Sequence, residues 1–450
     1  MQSRPGRPPG NPEPSPRWGA STLSSMRRSI ALLCWAALSV PAAPVHAQRP
    51  APAPSLTILD DIRYLADDRL GGRLTGSPGA DTAAAYLARR FAAVGLQPAP
   101  GGWFQPFTIS PDAPTARAAE VGGSVGRNVI GVLPGRDPVL RNESIIIGAH
   151  YDHLGGGGYG ALDAPDSTGK VHNGADDNAS GAAALIHIAS ALAAAPPART
   201  VIFIAFSGEE LGLFGSAYYV KHPVYPLANT LAMINLDMVG RLRNQRLIVY
   251  GTATAREFPA LLDSLNTPVR FDLRSQGDGY GPSDQSSFFA AHRPVLHLFT
   301  DLHADYHRTT DDWQKINAPG EAEVVDFAAR LVTALGNRPG PLTFVDQAPA
   351  AAAHAGVAVT PGYGAYLGTI PDMTDNPGGV QLSGVRSGSP ADQAGLRAGD
   401  IITRIGSHDV PDLQAMTDAL REHKAGDTVE IRVRRGADSL ALKATLGTRS

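Results

Sequence analysis

The chain is almost without cysteine: its 450 residues contain one, Cys34. That residue lies in a basic and then apolar segment, 26–40, which is followed at 45–47 by the small-residue pattern of a cleavage site. This layout predicts a secretory signal peptide over residues 1–47, whose apolar run is too short to span a bilayer. We expect a periplasmic or secreted protein with no transmembrane anchor after signal removal. A lipoprotein signal ending at Cys34 and a twin-arginine signal are less suited to these residues.

A mature chain that lacks cysteine excludes disulfides and thiolate metal ligands, so any metal site must use His, Asp and Glu. An excess of charge is also missing. The sequence has 39 basic and 42 acidic residues, for a formal net charge of −3. Without a basic excess there is no electrostatic reason to expect nucleic acid or an anionic membrane surface as a partner.

Short apolar runs are plentiful and recur along the first three quarters of the chain. They suit strands buried on both faces and lie at 128–133, 144–149, 200–206, 231–237, 246–251 and 294–299. Helical patterns alternate with them, the clearest at 80–96 and 180–195. This alternation predicts an α/β domain with a mixed, mostly parallel central sheet flanked by helices.

The composition changes after Asn337. Proline- and alanine-rich residues at 338–356 predict a linker between the main domain, 48–337, and a smaller domain, 357–450. The smaller domain has Gly-rich turns, short strands and a helical pattern at 412–424, which indicate an α+β fold.

Histidine and acidic residues follow four of the predicted strands: His150 and Asp152; Glu209 and Glu210; Asp237; and His303, Asp305 and His307. Ligands of open α/β sheets bind outside the carboxyl ends of the strands, so we expect these side chains at one rim. The loop "GADDNASG" brings Asp176 and Asp177 to the same place. Nitrogen and oxygen ligands without sulfur suit zinc, manganese or cobalt.

Two histidines and three carboxylates are enough for two divalent cations: His150, His307, Asp177, Glu210 and Asp237. Three carboxylates and one bridging hydroxide balance four positive charges, with the cations about 3.5–4 Å apart. Glu209 is then left over. Because adjacent residues of extended backbone point opposite ways, it is expected to face the bound water as a general base.

Five segments in the same order resemble the motif set of the M28 family of zinc peptidases, many of which are aminopeptidases: "GAHYDHLG", "GADDNASG", "SGEELGLFGS", "NLDMVGR" and "DYHRTTDDW". The resemblance covers roughly residues 57–336. It implies a zinc exopeptidase-like fold and two Zn²⁺ ions per chain. His150 and Glu210 would ligate different metals, as would Asp237 and His307, and Asp177 would bridge them.

The same resemblance implies further roles. Glu209 would be the general base on a metal-bridging water, and Asp152 would orient the ring of His150. The Asp177–Asn178 peptide bond would be cis. Where the family often has Ser-Asp-His, this chain reads "SDQSSF" at 283–288. Asp284 is carried over as an acid beneath the site or on its substrate side, whereas Gln285 departs from the pattern.

The implied activity is the removal of N-terminal residues from peptide substrates. Carboxypeptidase, dipeptidase or glutaminyl cyclase activity at the same site stays open, as does a catalytically silent adaptor. The pattern G-x-S-x-G at 122–126 also matches the nucleophile turn of serine hydrolases. That turn requires a strand before the serine and a helix after it, whereas a predicted strand follows Ser124, so a serine nucleophile is disfavoured.

The smaller domain resembles a bacterial-type PDZ domain, through "AYLGTIPD" and "SPADQAGLRAGD". Such domains bind an extended C-terminal peptide by strand addition and hold its carboxylate in a backbone loop. The resemblance assigns that loop to Tyr366, Leu367, Gly368 and Thr369. A docking module without a free ligand is the alternative.

Overall fold

The computed structural model describes residues 57–277, 279–281, 283–345, 365–371, 378–385, 389–397, 399–411, 415–416, 419–420, 422–436 and 438–447. The predicted signal peptide, 1–47, and most of the predicted linker lie outside these ranges. The predicted domain bounds therefore stay predictions.

The larger sheet of the described residues has nine strands: β1 (Gln97–Pro98), β2 (Phe104–Thr108), β3 (Val125–Leu133), β4 (Ser144–His150), β5 (Thr200–Phe206), β6 (Thr230–Leu236), β7 (Arg246–Tyr250), β8 (Asp272–Ser275) and β9 (Val295–Phe299). Their order is β1-β3-β5-β4-β6-β9-β7-β8, and β2 pairs with β3. The four central strands, β5, β4, β6 and β9, run parallel, whereas β3 and β7 run antiparallel to β5 and β9. The predicted mixed, mostly parallel sheet is confirmed.

Helices accompany this sheet along the chain: α1 (Ile58–Leu65), α2 (Pro78–Ala93), α3 (Pro114–Ala118), α4 (Gly181–Ala194), α5 (Phe214–Lys221), α6 (Phe258–Asn266), α7 (Gln285–Ala290) and α8 (Ala318–Gly336). Side chains of β4 alternate between two cores. Ile145 and Ile147 pack in the core that contains α2, α4 and α8, whereas Ile146 packs in the core that contains α5 and α7. This burial on both faces explains why the central strands are continuously apolar. Within the described ranges, no helix has both the length and the apolar character to cross a membrane.

A second, antiparallel sheet contains β10 (Thr369–Pro371), β11 (Val380–Val385), β12 (Ile401–Ile405), β13 (His408–Asp409), β14 (Thr428–Arg435) and β15 (Asp438–Thr445), with the short helix α9 (Pro390–Gln393). It has a core of its own, in which Leu367, Ile402 and Ile431 are buried. Within the predicted helix 412–424, the described residues 415–416 and 419–420 are helical, whereas 422–424 are not.

Candidate active site

Four adjacent parallel strands bring the predicted side chains to one rim of the larger sheet. His150 is the last residue of β4, Glu209 and Glu210 follow β5, Asp237 follows β6 directly, and His307 lies in the loop after β9. All five are at least half-buried at the carboxyl ends of the strands, where the fold predicts ligand binding.

Asp177 reaches the same rim from a turn, Ala175–Ser180, that precedes α4. The Asp177–Asn178 peptide bond is cis, as predicted. The Asn178 amide donates to the carbonyl of Leu236 at 2.9 Å, and its side-chain oxygen accepts the N–H of Gly181 at 2.9 Å and of Met238 at 3.2 Å. The hydrogen bonds with Leu236 and Met238 tie the turn to the end of β6, and the one with Gly181 ties it to the start of α4.

The ring nitrogens and carboxylate oxygens form two groups that share Asp177. In the first donor group, His150 Nε2 lies 3.3 Å from both Asp177 Oδ1 and Asp237 Oδ1. In the second donor group, His307 Nε2 lies 3.2 Å from Asp177 Oδ2 and 3.0 Å from Glu210 Oε2. Asp177 thus turns one oxygen to each group. His150 is grouped with Asp237 and His307 with Glu210, so the two pairs that the M28 resemblance assigns to different metals, His150 with Glu210 and Asp237 with His307, lie in different donor groups.

The chemistry of these donors fits zinc. His150, Asp177 and Asp237 offer ligand atoms within 4.8 Å of one another, and so do His153, Asp177 and Glu210. Imidazole and carboxylate are common zinc ligands. Carboxylates packed this closely repel one another unless a cation lies between them. The residues therefore fit two zinc ions that share Asp177, although the number of ions stays a prediction.

The two neighbouring glutamates have pKa values displaced in opposite directions. Burial raises the pKa of Glu209 well above its ordinary value, and the nearby carboxylates of Glu210 and Asp237 add to the rise against the pull of His150. Burial also acts on Glu210, but His307 and His153 outweigh it and lower its pKa to about 2. This separation agrees with the predicted roles, Glu210 as a charged metal ligand and Glu209 as a general base, and both roles stay predictions.

Glu209 lies beside the first donor group. Its Oε2 is 3.9 Å from His150 Nε2, and a carboxylate oxygen lies within 4.8 Å of donor atoms of His150 and Glu210. The main-chain N–H of Glu209 donates to Asp152 Oδ1 at 3.3 Å. The carboxylate is therefore close enough to act on a group held by the donors.

Asp152 contacts His150 differently from the expected carboxylate–imidazole pair. His150 Nδ1 is 3.2 Å from the main-chain carbonyl oxygen of Asp152, but 3.8 Å from its carboxylate. The carbonyl is thus the nearer acceptor for the ring, and the carboxylate instead accepts the N–H of Glu209. Asp152 links the ring of the first donor group to the candidate base.

His307 is oriented by the glycine-rich loop at 155–160. Its Nδ1 lies 2.8 Å from the carbonyl oxygen of Gly160, so this nitrogen carries the hydrogen and Nε2 is left to face Asp177 and Glu210. Tyr306 stacks on the ring with centroids 3.9 Å apart.

His153 is a site residue that the sequence did not single out. Its buried Nδ1 lies 2.7 Å from Glu210 Oε1 and 4.0 Å from Asp177 Oδ2. Because two histidines and three carboxylates already complete the predicted ligand set, the sequence favours a structural or surface role for His153, and likewise for His172, His187, His297 and His303. Its position directly after Asp152, just beyond a strand end, was the available signal.

Replacing His153 with phenylalanine is expected to lower zinc affinity about 10- to 100-fold, because Glu210 loses the partner that orients it. Zinc titration with a competing chelator measures the change. His222→Phe, which alters an exposed histidine, is the matched control and should bind zinc like the unaltered protein. Equal zinc affinity in His153→Phe and the control would show that the contact with Glu210 has no bearing on metal binding.

A buried polar network holds the Asp177 turn in place. Asp311 Oδ2 accepts the N–H groups of Asp176 and Asp177 at 2.9 and 3.0 Å, and Arg241 donates to Asp311 Oδ1 at 2.5 Å. Asp176 accepts the N–H of Gly240 at 2.7 Å and faces His303 Nε2 at 3.2 Å. The two adjacent aspartates are therefore not equivalent: Asp176 anchors the turn and Asp177 faces the donors.

Arg73 reinforces the same region from the N-terminal segment. The fully buried guanidinium donates to four main-chain carbonyls: Leu65, Tyr151, Asn173 and Gly174. It connects the loop after β4 with the segment that precedes the Asp177 turn. A buried charge with this many acceptors is a rigid support for both.

Asp284 lies directly before α7 and is fully buried. Burial raises the pKa of its carboxyl to about 7, with Asp152 and Asp237 adding to the rise and His150 opposing it. Its charge is thus coupled to that of the site, but its role stays a prediction.

A pocket of about 410 Å³, part of it open to solvent, adjoins the donor groups. Beyond the acidic residues and His307, its walls are Met238, Tyr250, His297, Phe299 and Tyr306. The pocket is thus lined by both acidic and aromatic side chains.

The loop predicted to hold a peptide carboxylate lies at the start of the second sheet. Leu367 is buried and its carbonyl accepts the N–H of Ala391 at 2.8 Å, while Thr369 begins β10. Gly368 has φ of 83°, and a Cβ at this position would come within 2.3 Å of the Ser389 side chain. Tyr366 pairs with Gly447 through a β-bridge. Carboxylate binding by this loop stays a prediction.

Ser124 occupies a setting opposite to that of a serine nucleophile. The helix α3 ends at Ala118, before it, and the strand β3 begins at Val125, directly after it. The order is helix and then strand, so the requirement of the motif is not met.

Comparison with known proteins agrees with this geometry. Residues 128–332 match Peptidase family M28, and residues 365–446 match a PDZ domain. Leupeptin-inactivating enzyme 1 of Streptomyces exfoliatus is 29% identical over 309 residues, which cover 67% of this chain and 61% of the relative. Aminopeptidase YwaD of Bacillus subtilis is 30% identical over 169 residues, 37% of this chain and 33% of the relative. The chain spans less than two thirds of the length of either relative.

Among solved structures, a Zn-dependent exopeptidase from Parabacteroides distasonis has the same fold. The TM-score is 0.51 at 18% identity, over 63% of this chain and 97% of that one. At this identity the likeness concerns the fold alone. The family matches, together with the donor residues at the strand ends, show a Peptidase family M28 region at residues 128–332, followed by a PDZ domain at residues 365–446.

Proposed function

We propose that this protein is a zinc-dependent aminopeptidase, which hydrolyses the peptide bond after the N-terminal residue of its substrate. The observation that carries the proposal is the pair of donor groups that share Asp177, with Glu209 beside them. The names of the two relatives, a leupeptin-inactivating enzyme and an aminopeptidase, agree with it.

Two zinc ions would be held by the residues of the two donor groups. His150, Asp177 and Asp237 would hold one, and Asp177, Glu210 and His307 the other. Bound zinc lowers the pKa of water and polarises a carbonyl group. The buried carboxylates supply the negative charge that keeps the cations in place.

Glu209 is the proposed proton carrier. Its carboxylate would accept the proton of the attacking water and then deliver it to the leaving amine. Asp152 fixes the main chain of Glu209 while its carbonyl accepts from His150 Nδ1. The base and the first donor group thus keep a constant spacing.

The proposal also includes where the enzyme is located and what its second domain binds. The signal peptide predicted at 1–47 would direct the enzyme to the periplasm or the medium. The PDZ domain would bind the C-terminal end of an extended peptide through residues 366–369.

Peptides that differ only at their termini test the activity. We expect the zinc-loaded chain to release residues one at a time from a free N-terminus, and mass spectrometry should show no product from the N-acetylated form. Release from the C-terminus would identify a carboxypeptidase, and cleavage of dipeptides alone a dipeptidase. Loss of ammonia from an N-terminal glutamine would identify a glutaminyl cyclase. No product from any peptide would favour a silent adaptor.

A further inference from the structure

His297 is a polar residue in the wall of the pocket. The proposed proton transfers do not use it. It lies in the middle of β9 and is 3% exposed. Its ring makes edge contacts with Tyr250, at a centroid distance of 5.4 Å, and with Phe299, at 6.0 Å. The imidazole of His297 therefore lies beside two aromatic rings of the pocket wall.

A hydrogen-bond chain behind the wall fixes which nitrogen of His297 carries the hydrogen. The amide of Asn235, its neighbour on β6, donates to Ser283 Oγ at 2.8 Å and to Gln285 Oε1 at 3.2 Å. His297 Nδ1 lies 2.9 Å from the same Gln285 oxygen. An amide oxygen can only accept a hydrogen bond, so Nδ1 carries the hydrogen and donates it. Nε2 carries no hydrogen and can only accept.

Nε2 has no hydrogen-bond partner among the described residues. Buried polar atoms of native proteins are almost always paired, and an unpaired acceptor is costly. Since His297 lines the pocket, the pocket is where a partner for Nε2 can come from.

Gln285 is the position at which the chain departs from the Ser-Asp-His run of its family. A histidine there would offer either a donor or an acceptor, according to its tautomer. The side-chain oxygen of Gln285 can only accept a hydrogen bond. The departure from the family pattern at Gln285 therefore fixes the tautomer of His297.

We propose that His297 determines specificity: Nε2 accepts a hydrogen bond from the side chain of the substrate's N-terminal residue and selects tyrosine over phenylalanine. The aromatic walls suit a flat ring, and the imidazole suits a donor at its tip. The inference rests on the proposed function for the assignment of this pocket to the N-terminal residue.

Binding to the full-length, zinc-loaded Glu209→Gln protein tests the inference without turnover. The probes are peptides that differ only in their first residue: tyrosine, phenylalanine, 4-aminophenylalanine or 4-methoxyphenylalanine. Calorimetry should show the two donor side chains binding about 5- to 10-fold more tightly than phenylalanine, the value of one hydrogen bond. The methoxy side chain, which cannot donate, should bind no better than phenylalanine.

Two substitutions in the same background identify the residue responsible. His297→Phe should abolish the preference for tyrosine and leave the affinity for the phenylalanine peptide within about twofold, whereas His292→Phe, at an exposed position, should preserve the preference. Gln285→Leu frees the imidazole tautomer, so the preference should fall and the methoxy peptide should gain affinity.

Equal affinities for tyrosine and phenylalanine peptides would overturn the inference, as would an unchanged ratio in His297→Phe. Turnover by the unaltered enzyme is measured separately with the phenylalanine peptide. If that peptide is bound but never cleaved, while the tyrosine preference is present, the proposed function is wrong and the role of His297 in binding stands.

Discussion

Replacing Glu209 with glutamine is expected to lower kcat for N-terminal cleavage by about 10³-fold, within the range typical of a lost general base. Glutamine keeps the size of the side chain but cannot accept the proton of the attacking water. Zinc content should stay unchanged, because the closest donor contacts are made by the other five residues. Initial rates with an aminoacyl anilide, together with the zinc content by mass spectrometry, measure both quantities.

Glu323→Gln, an exposed change in α8, is the control for Glu209→Gln and should have normal rates. The carboxylate of Glu209 is also within 4.8 Å of donor atoms of His150 and Glu210. If Glu209→Gln lost zinc together with activity, Glu209 would be a metal ligand. If it retained activity within tenfold of the unaltered enzyme, the general-base role would be wrong.

Replacing Asp177 with asparagine is expected to remove both zinc ions and all measurable peptidase activity. Each of its oxygens faces one donor group, and an asparagine offers one oxygen where two are needed. Bound zinc stabilises the folded chain by an amount that rises with the logarithm of its affinity, so adding a chelator should lower the Tm of the unaltered protein and leave that of Asp177→Asn almost unchanged. Zinc per chain after dialysis and thermal unfolding with and without chelator are the measurements.

Asp176→Asn provides the comparison at the adjacent, equally buried position. Asp176 contacts Gly240 and His303, so its loss should destabilise the turn while zinc still binds. Two tightly bound zinc ions in Asp177→Asn would contradict the bridging role. The same would follow if the two variants lost zinc equally.

Buried strands were predictable from the sequence and edge strands were not. All six apolar runs form strands, β3 to β7 and β9. In all of these runs except that of β7, burial on both faces selects apolar side chains at almost every position. The strands β1, β2 and β8 leave most of their residues exposed or half-exposed. The strand β2 even contains Pro106, which an edge position tolerates. Such segments carry no continuous apolar signal.

Site residues were predictable where a strand end delivers them. His150, Glu210 and Asp237 belong to segments whose position follows from strand order, and the structure brings them together. His153 and His297 were missed for different reasons. His153 belongs to the site because its side chain reaches across the rim of the sheet. His297 lies within an apolar strand whose sequence is typical of a buried core segment. The direction of the side chain and the pairing of the strands decide whether each of these histidines reaches the site. Neither is a local property of the sequence.

The last ligand of the cluster to be synthesised is His307, and the residue that anchors the Asp177 turn, Asp311, follows it. The contacts of Asp311 with Asp176 and Asp177 join residues 135 and 134 positions apart. A nascent chain that ends before this loop therefore lacks His307 of the second donor group and the residue that anchors the Asp177 turn. The proposed peptidase activity would then arise only after nearly the whole predicted domain 48–337 has been synthesised, so the order of translation would delay it until folding is almost finished.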